Sequence, residues 1–380
     1  MGILQDTTGE DIDIDINGSP PYDPEFLPHW LEFANALEQY QYCLKNSTGN
    51  DKQKSELSLS SVNLPNDLVD LLSKALESTH FQQLYLSWNN LDEAGIDFVL
   101  KYVQNNPILK EFHFVGNWMT LNEIRRLCQI VNKHPSIEDL MLDSCKDTNV
   151  NGYEMLQMVM TAGRDKIKAL NLCCNDISTD GDTFLSDFLW GDSALISLDI
   201  TDNNFDDNDA IMIANALGHN AKLRVLDFWG NHVTKSGWIA LRKAEFDDTS
   251  LNTAADSNHT CRISYPNPED HDDLQGLDTT EMNGFLNHMA PLFNPAYVRQ
   301  KKIYSILSTR NRTCSNVEHF EDIPIELLPY MLCSVQRYAN CHIPDNTPCQ
   351  DPRDVRPLSL ISEMLQRWDK SLAVFQSLSA

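Results

Sequence analysis

Asp202, Asn204 and Asp206 stand two residues apart, the spacing at which a calcium-binding loop offers its first oxygen ligands. Such a loop also needs a glycine at its sixth position and a bidentate glutamate at its twelfth. Asp207 and Ile213 stand there instead, so the match ends after three residues. The run Glu269-Asp270-His271-Asp272-Asp273 could hold a cation, but it lacks a second half to close around one and reads as a solvated loop. Cys333, Cys341 and Cys349, with His342, are too loosely spaced for a zinc module and read as structural thiols. There is no glycine-rich phosphate loop and no nucleophile elbow. The sequence therefore predicts no catalytic residues, no cofactor and no metal site.

Composition narrows the partners. Lys plus Arg number 29 against 55 Asp plus Glu, a net charge of -26. Nucleic acids and anionic membranes are bound by clustered Lys and Arg, so both are disfavoured. Arg299, Lys301, Lys302, Arg310 and Arg312 form the one basic stretch, and they read as flanking a helix. The N-terminus lacks the basic and apolar regions of a signal peptide, and the ten cysteines are scattered apart from Cys173-Cys174. These features predict a monomer of the cytoplasm or nucleus with reduced thiols.

The element that must position any site is a repeat. Leu57, Leu84, Phe112, Leu140, Leu170, Leu198 and Leu226 recur at intervals of 27, 28, 28, 30, 28 and 28 residues. A second apolar residue follows each by two: Leu59, Leu86, Phe114, Leu142, Leu172, Ile200 and Phe228. Period two puts both side chains on one face of a short strand. Further on, apolar residues recur at helical spacing, as in Val99 and Val103, Leu127 and Val131, or Ile213 and Leu217. Each repeat is thus strand, turn, helix. From the second repeat on, a polar or thiol residue closes the strand: Asn89, Asn117, Cys145, Asn175, Asn203 or Asn231. Buried there, each can hydrogen-bond the backbone of the turn and form a structural ladder through the stack.

The expected domains follow. Residues 1–22 read as a disordered acidic tail and 23–51 as an N-terminal helical cap, with Trp30, Phe33, Leu37, Tyr40 and Leu44 on one stripe. Residues 52–263 hold seven repeats and a degenerate eighth, whose frame falls on Ala254, Asp256 and His259. Residues 264–380 read as a loop and a helical C-terminal cap, with helices near 281–293, 295–309, 324–339 and 357–378.

A 28-residue repeat with a full helix resembles the ribonuclease-inhibitor-like leucine-rich repeat class, which includes the repeat regions of NOD-like receptors and Ran GTPase activators. The strings at 257–263, 301–312 and 368–375 are similar to uncharacterised algal, chiefly diatom, leucine-rich repeat proteins. The resemblance implies an α/β solenoid, a horseshoe with parallel strands on the concave face and helices on the convex one. It also brings in one activity to weigh, GTPase activation of the Ran type. None of the turns from Ser87-Trp88-Asn89-Asn90 to Trp229-Gly230-Asn231-His232 offers an arginine, which counts against it.

If the Leu57 and Leu59 types face the core, the residues between and beside them face a partner. Those columns carry Glu56, Glu111, Asp139, Asp143, Asp199, Asp202 and Asp227 and no Lys or Arg. Tyr85, Trp88, His113, Trp118 and Trp229 add aromatic surface. Aromatic anchors in a field of carboxylates suit a basic protein segment. We take Tyr85, Trp88, His113, Trp118, Asp143, Asp199, Asp202, Asp227 and Trp229 as the expected partner-binding residues of a non-enzymatic scaffold.

Overall fold

The computed structural model describes residues 4–5, 11–15, 23–46, 55–62, 64–77, 79–265 and 295–313, with Leu327 and Tyr330. The chain divides into two compact units, Met1–Leu241 with Cys261–Met282, and Arg242–Thr260 with Asn283–Ala380.

In the first unit, strands β3 (Glu56–Ser60), β4 (Gln83–Ser87), β5 (Glu111–His113), β6 (Asp139–Met141), β7 (Ala169–Asn171), β8 (Ser197–Asp199) and β9 (Val225–Asp227) alternate with helices. The helices are α2 (Asn66–Leu76), α3 (Glu93–Asn105), α4 (Leu121–Lys133), α5 (Gly152–Gly163), α6 (Phe184–Trp190), α7 (Asp207–Leu217) and α8 (Lys235–Glu245), the last crossing into the second unit. The strands form one open parallel sheet in chain order, each Leu57-type residue opposite the next: Leu57, Leu84, Phe112, Leu140, Leu170, Leu198, Leu226. All fourteen paired apolar residues of the repeats are buried, five of them one residue past their strand, as are Val99, Leu127, Leu156, Leu185 and Ile213 on the facing helices. The core is this layer between sheet and helices. Capping boxes start α4 (Thr120 with Glu123) and α7 (Asp206 with Asp209), which accounts for one residue of the aborted calcium motif.

Where it is described, the N-terminal segment forms strand, not the disorder expected of it. Asp11–Asp15 forms strand β2, parallel to β3, and Leu4–Gln5 forms β1, antiparallel to β2. Ile12 lies opposite Leu57 and Ile14 opposite Leu59. The Asp-Ile alternation has the strand period, and the edge of β3 would otherwise present unpaired peptide groups. Next comes α1 (Leu27–Asn46), which buries Trp30, Phe33 and Leu37 and packs on α2.

The eighth strand also departs from its expected frame. Ala254 lies inside a short extra helix, α9 (Leu251–Asp256), and Asp256 ends it; the strand is β10 (Arg262–Ser264), with Ile263 opposite Leu226. The inserted helix stretches the interval beyond the repeat period.

The boundary expected at 263/264 is likewise not where the units divide, because residues 242–260 belong with the C-terminal part. In that second unit α9 packs on α10 (Pro295–Thr313). Buried Lys302 of α10 donates to the Glu245 carbonyl and, at 2.6 Å, to the Asn258 carbonyl. Arg299 Nε donates to the Ala255 carbonyl at 3.1 Å. Two cations of the basic stretch are thus spent on backbone oxygens. The helices expected near 281–293, 324–339 and 357–378 fall outside the described residues but for Leu327 and Tyr330. Among the described residues no helix is long and apolar enough to cross a membrane.

Candidate functional site

The face of the sheet opposite the helices is built by alternation. Because Leu57 and Leu59 types turn inward, the residue between them turns outward, and register aligns those residues into a column. It runs Asp13, Ser58, Tyr85, His113, Met141, Asn171, Asp199, Asp227, Ser264. The column before it runs Asp11, Glu56, Gln83, Glu111, Asp139, Ala169, Ser197, Val225, Arg262. Counting β10 corrects the expectation of a face without cations: Arg262 stands at its C-terminal edge.

The turns beyond the strands share a conformation that the sequence reading missed. The fourth residue after each Leu57-type position has left-handed backbone: Ser61, Trp88, Gly116, Ser144, Cys174, Asp202 and Gly230, with φ from 50° to 73°. Only two of the seven are glycine, and the rest carry a side chain where one is disfavoured. The glycines in this column were the available signal. A Cβ on Gly116 would lie 2.4 Å from the Trp88 ring, and one on Gly230 would lie 2.0 Å from Asp202 Oδ1. The missing side chains therefore seat Trp88 and Asp202.

The next residue holds this turn in place. Asn203 Oδ1 accepts from the Asn175 and Ile177 N–H groups at 3.0 Å, while its Nδ2 donates to the Leu172 carbonyl at 3.0 Å. Asn89 spans Val62 N–H and Leu59 O in the same manner, and Asn117 spans Asn89 N–H and Leu86 O. Asn175 serves Cys145 N–H and Leu142 O, and Asn231 serves Phe205 N–H and Ile200 O. Cys145 keeps only the donating half, its thiol pointing to the Phe114 carbonyl.

Acidic residues gather toward the β8–β9 end. Asp199 and Asp227 are register partners. Asp199 Oδ1 accepts from Thr201 N–H at 3.0 Å and Thr201 Oγ1 at 2.8 Å, and its Oδ2 accepts from Asn171 Nδ2 at 2.8 Å. Burial pushes the Asp199 carboxyl above the usual carboxylate range, and the Asp227 and Asp143 charges push it further, against the Thr201 hydrogen bonds. Asp227 accepts from the Ser264 hydroxyl, and Asp143 from Ser144 Oγ at 2.6 Å. Trp88, Trp118 and Trp229 are 55%, 64% and 47% exposed, unusual for residues this large.

Toward β4–β6 the face changes character. Tyr85 stacks on His113 with centroids 4.4 Å apart, and its hydroxyl donates to Glu111 Oε2 at 2.9 Å. Burial and Glu111 both raise the Tyr85 pKa, so it stays a neutral donor. Two groups of side chains could hold a metal ion, Glu111 with His113 and Asp139, and Asp143 with Cys173 and Cys174. In the second, the two thiols stand 3.1 Å apart and burial pushes the Cys173 pKa up.

Among known proteins, the family model described as Leucine Rich repeat matches residues 194–214. The chain is 26% identical over 214 residues to the Rho GTPase-activating protein gacW of Dictyostelium discoideum, over 53% of this chain and 19% of that protein. It thus spans about a fifth of that relative's length. A solved structure of Leiomodin-1 Actin-Binding Site 2 aligns with 52% of this chain and 94% of its own at 12% identity, with a TM-score of 0.25.

Proposed function

We propose that this leucine-rich repeat protein is a non-enzymatic interaction scaffold that captures a Lys- or Arg-bearing protein segment on the open face of its sheet. The observation that carries the reading is the side-by-side pair Asp199 and Asp227, with the Asp199 carboxyl lifted by burial and by like charge. A cationic side chain between them offsets the like charge that adds to the effect of burial on that carboxyl. Trp229 and Trp88 supply aromatic area on which the stem of such a side chain can lie. A stack whose repeats each add one strand to a common face supports a protein rather than a small-molecule ligand. We keep the ribonuclease-inhibitor-like class as our reading of the subtype, because most repeats close on a helix of 11 to 13 residues.

The test exchanges Asp199, Asp202 and Asp227 together for Asn and measures capture of Arg- and Lys-rich peptides and of proteins from lysate. Loss of capture that also follows added salt supports the reading; capture unchanged by the triple substitution sinks it. A second reading, GTPase activation, is favoured only by the name of the Dictyostelium relative. Stimulated GTP hydrolysis by purified Ran or Rho would establish it.

A further inference from the structure

We propose that Glu111, His113 and Asp139 form a binding site for a divalent transition ion of the zinc class. Glu111 and His113 stand two apart on β5, so both leave the sheet on its open side, and Asp139 is the register partner of Glu111 on β6. One ligand atom from each lies within 4.8 Å of the other two. His113 Nε2 is buried and has no hydrogen-bond partner, although its side chain keeps 21% exposure. Its neighbour is Asp139 Oδ1 at 3.4 Å, too far for a good hydrogen bond. Close enough for an ion pair when the imidazole is protonated, that distance also matches the separation of two ligands on one tetrahedral ion, ~3.3–3.6 Å for bonds of about 2.0–2.2 Å. An octahedral magnesium site would bring its neighbouring ligands to ~2.9 Å. One imidazole with two carboxylates is a donor set for zinc or cobalt(II) rather than for an all-oxygen ion.

The surroundings are those of a held ligand set. Tyr85 Oη and Gln83 Nε2 both donate to Glu111 Oε2, fixing the carboxylate, and the Tyr85 ring stacked on His113 fixes the imidazole plane. Local spacing hides the site: two ligands come from one strand and the third from the next repeat, so no short motif spells it. The proposal is independent of partner capture by Asp199, Asp202 and Asp227.

The experiment uses the full chain, stripped with chelator and dialysed, then titrated with Zn²⁺ calorimetrically and with Co²⁺ by visible absorption. One equivalent is expected at micromolar affinity, weakened at least tenfold by His113→Ala and by Asp139→Asn, and about tenfold by Tyr85→Phe. Circular dichroism of each variant verifies its fold. Cys173→Ser with Cys174→Ser should leave that equivalent in place and without a thiolate charge-transfer band. Unchanged affinity in both His113→Ala and Asp139→Asn, or loss that follows the cysteine pair instead, overturns the proposal.

Discussion

Replacing Asn203 by alanine removes the side chain on which three buried peptide groups depend. Asn175 N–H, Ile177 N–H and Leu172 C=O each use Asn203 as partner, and Asn203 itself is only 4% exposed. The Thr201 and Ile200 carbonyls, which Nδ2 also reaches, retain Cys174 N–H and Asn231 Nδ2, so they are not orphaned. A buried peptide group left unsatisfied costs roughly 1–3 kcal/mol. Three of them, less what water in the vacated space restores, give a loss of about 3–5 kcal/mol. Urea unfolding followed by circular dichroism measures the total. Amide exchange measures the local effect, which should be accelerated protection loss at residues 175 and 177. Asn204→Ala, one residue on and half-buried, is the control and should cost under about 0.5 kcal/mol. An Asn203→Ala protein within about 1 kcal/mol of wild type, with exchange unchanged at those two amides, refutes the reasoning.

Cys174→Gly should stabilise by about 0.5–1 kcal/mol, because an exposed side chain is held at φ +57°; a lower melting temperature would contradict this. His259 is held down to about 4, first by burial and then by the Lys302 and Arg299 charges, against the Ala255 carbonyl and Asp256. The unfolded chain therefore takes up that proton first. The stability His259 contributes is complete above its ordinary value of about 6.5 and is lost as pH falls toward 4. His259→Gln should flatten the pH dependence of unfolding across that window, and an unaltered slope would count against it. Removing residues 1–22 uncovers the β3 edge and should produce concentration-dependent self-association by light scattering, where a strictly monomeric product would refute edge protection.

The repeat strands were legible because period two and a near-constant interval repeat the same statement seven times. Where the interval changed, reading failed: α9 displaces the eighth strand from Ala254 to Ile263, and nothing local to Cys261 announces it. The strand at Asp11–Asp15 was visible as alternation, but composition and the Ser-Pro-Pro that follows argued for disorder. For the candidate site, register assembled the outward column from sequence alone, since Tyr85, His113, Asp199 and Asp227 occupy one repeat position. The left-handed turns were not legible, because Trp88, Ser144 and Cys174 adopt a conformation their types do not favour. Nor was the Glu111, His113 and Asp139 grouping, which depends on side-chain rotamers across two strands.

The asparagine column has a direction. Each of Asn89, Asn117, Asn175, Asn203 and Asn231 completes the turn that precedes it in the chain. During synthesis, a freshly emerged turn stays unsealed until the ribosome has delivered about one repeat more. A nascent chain stalled midway lacks the asparagine that seals its last turn.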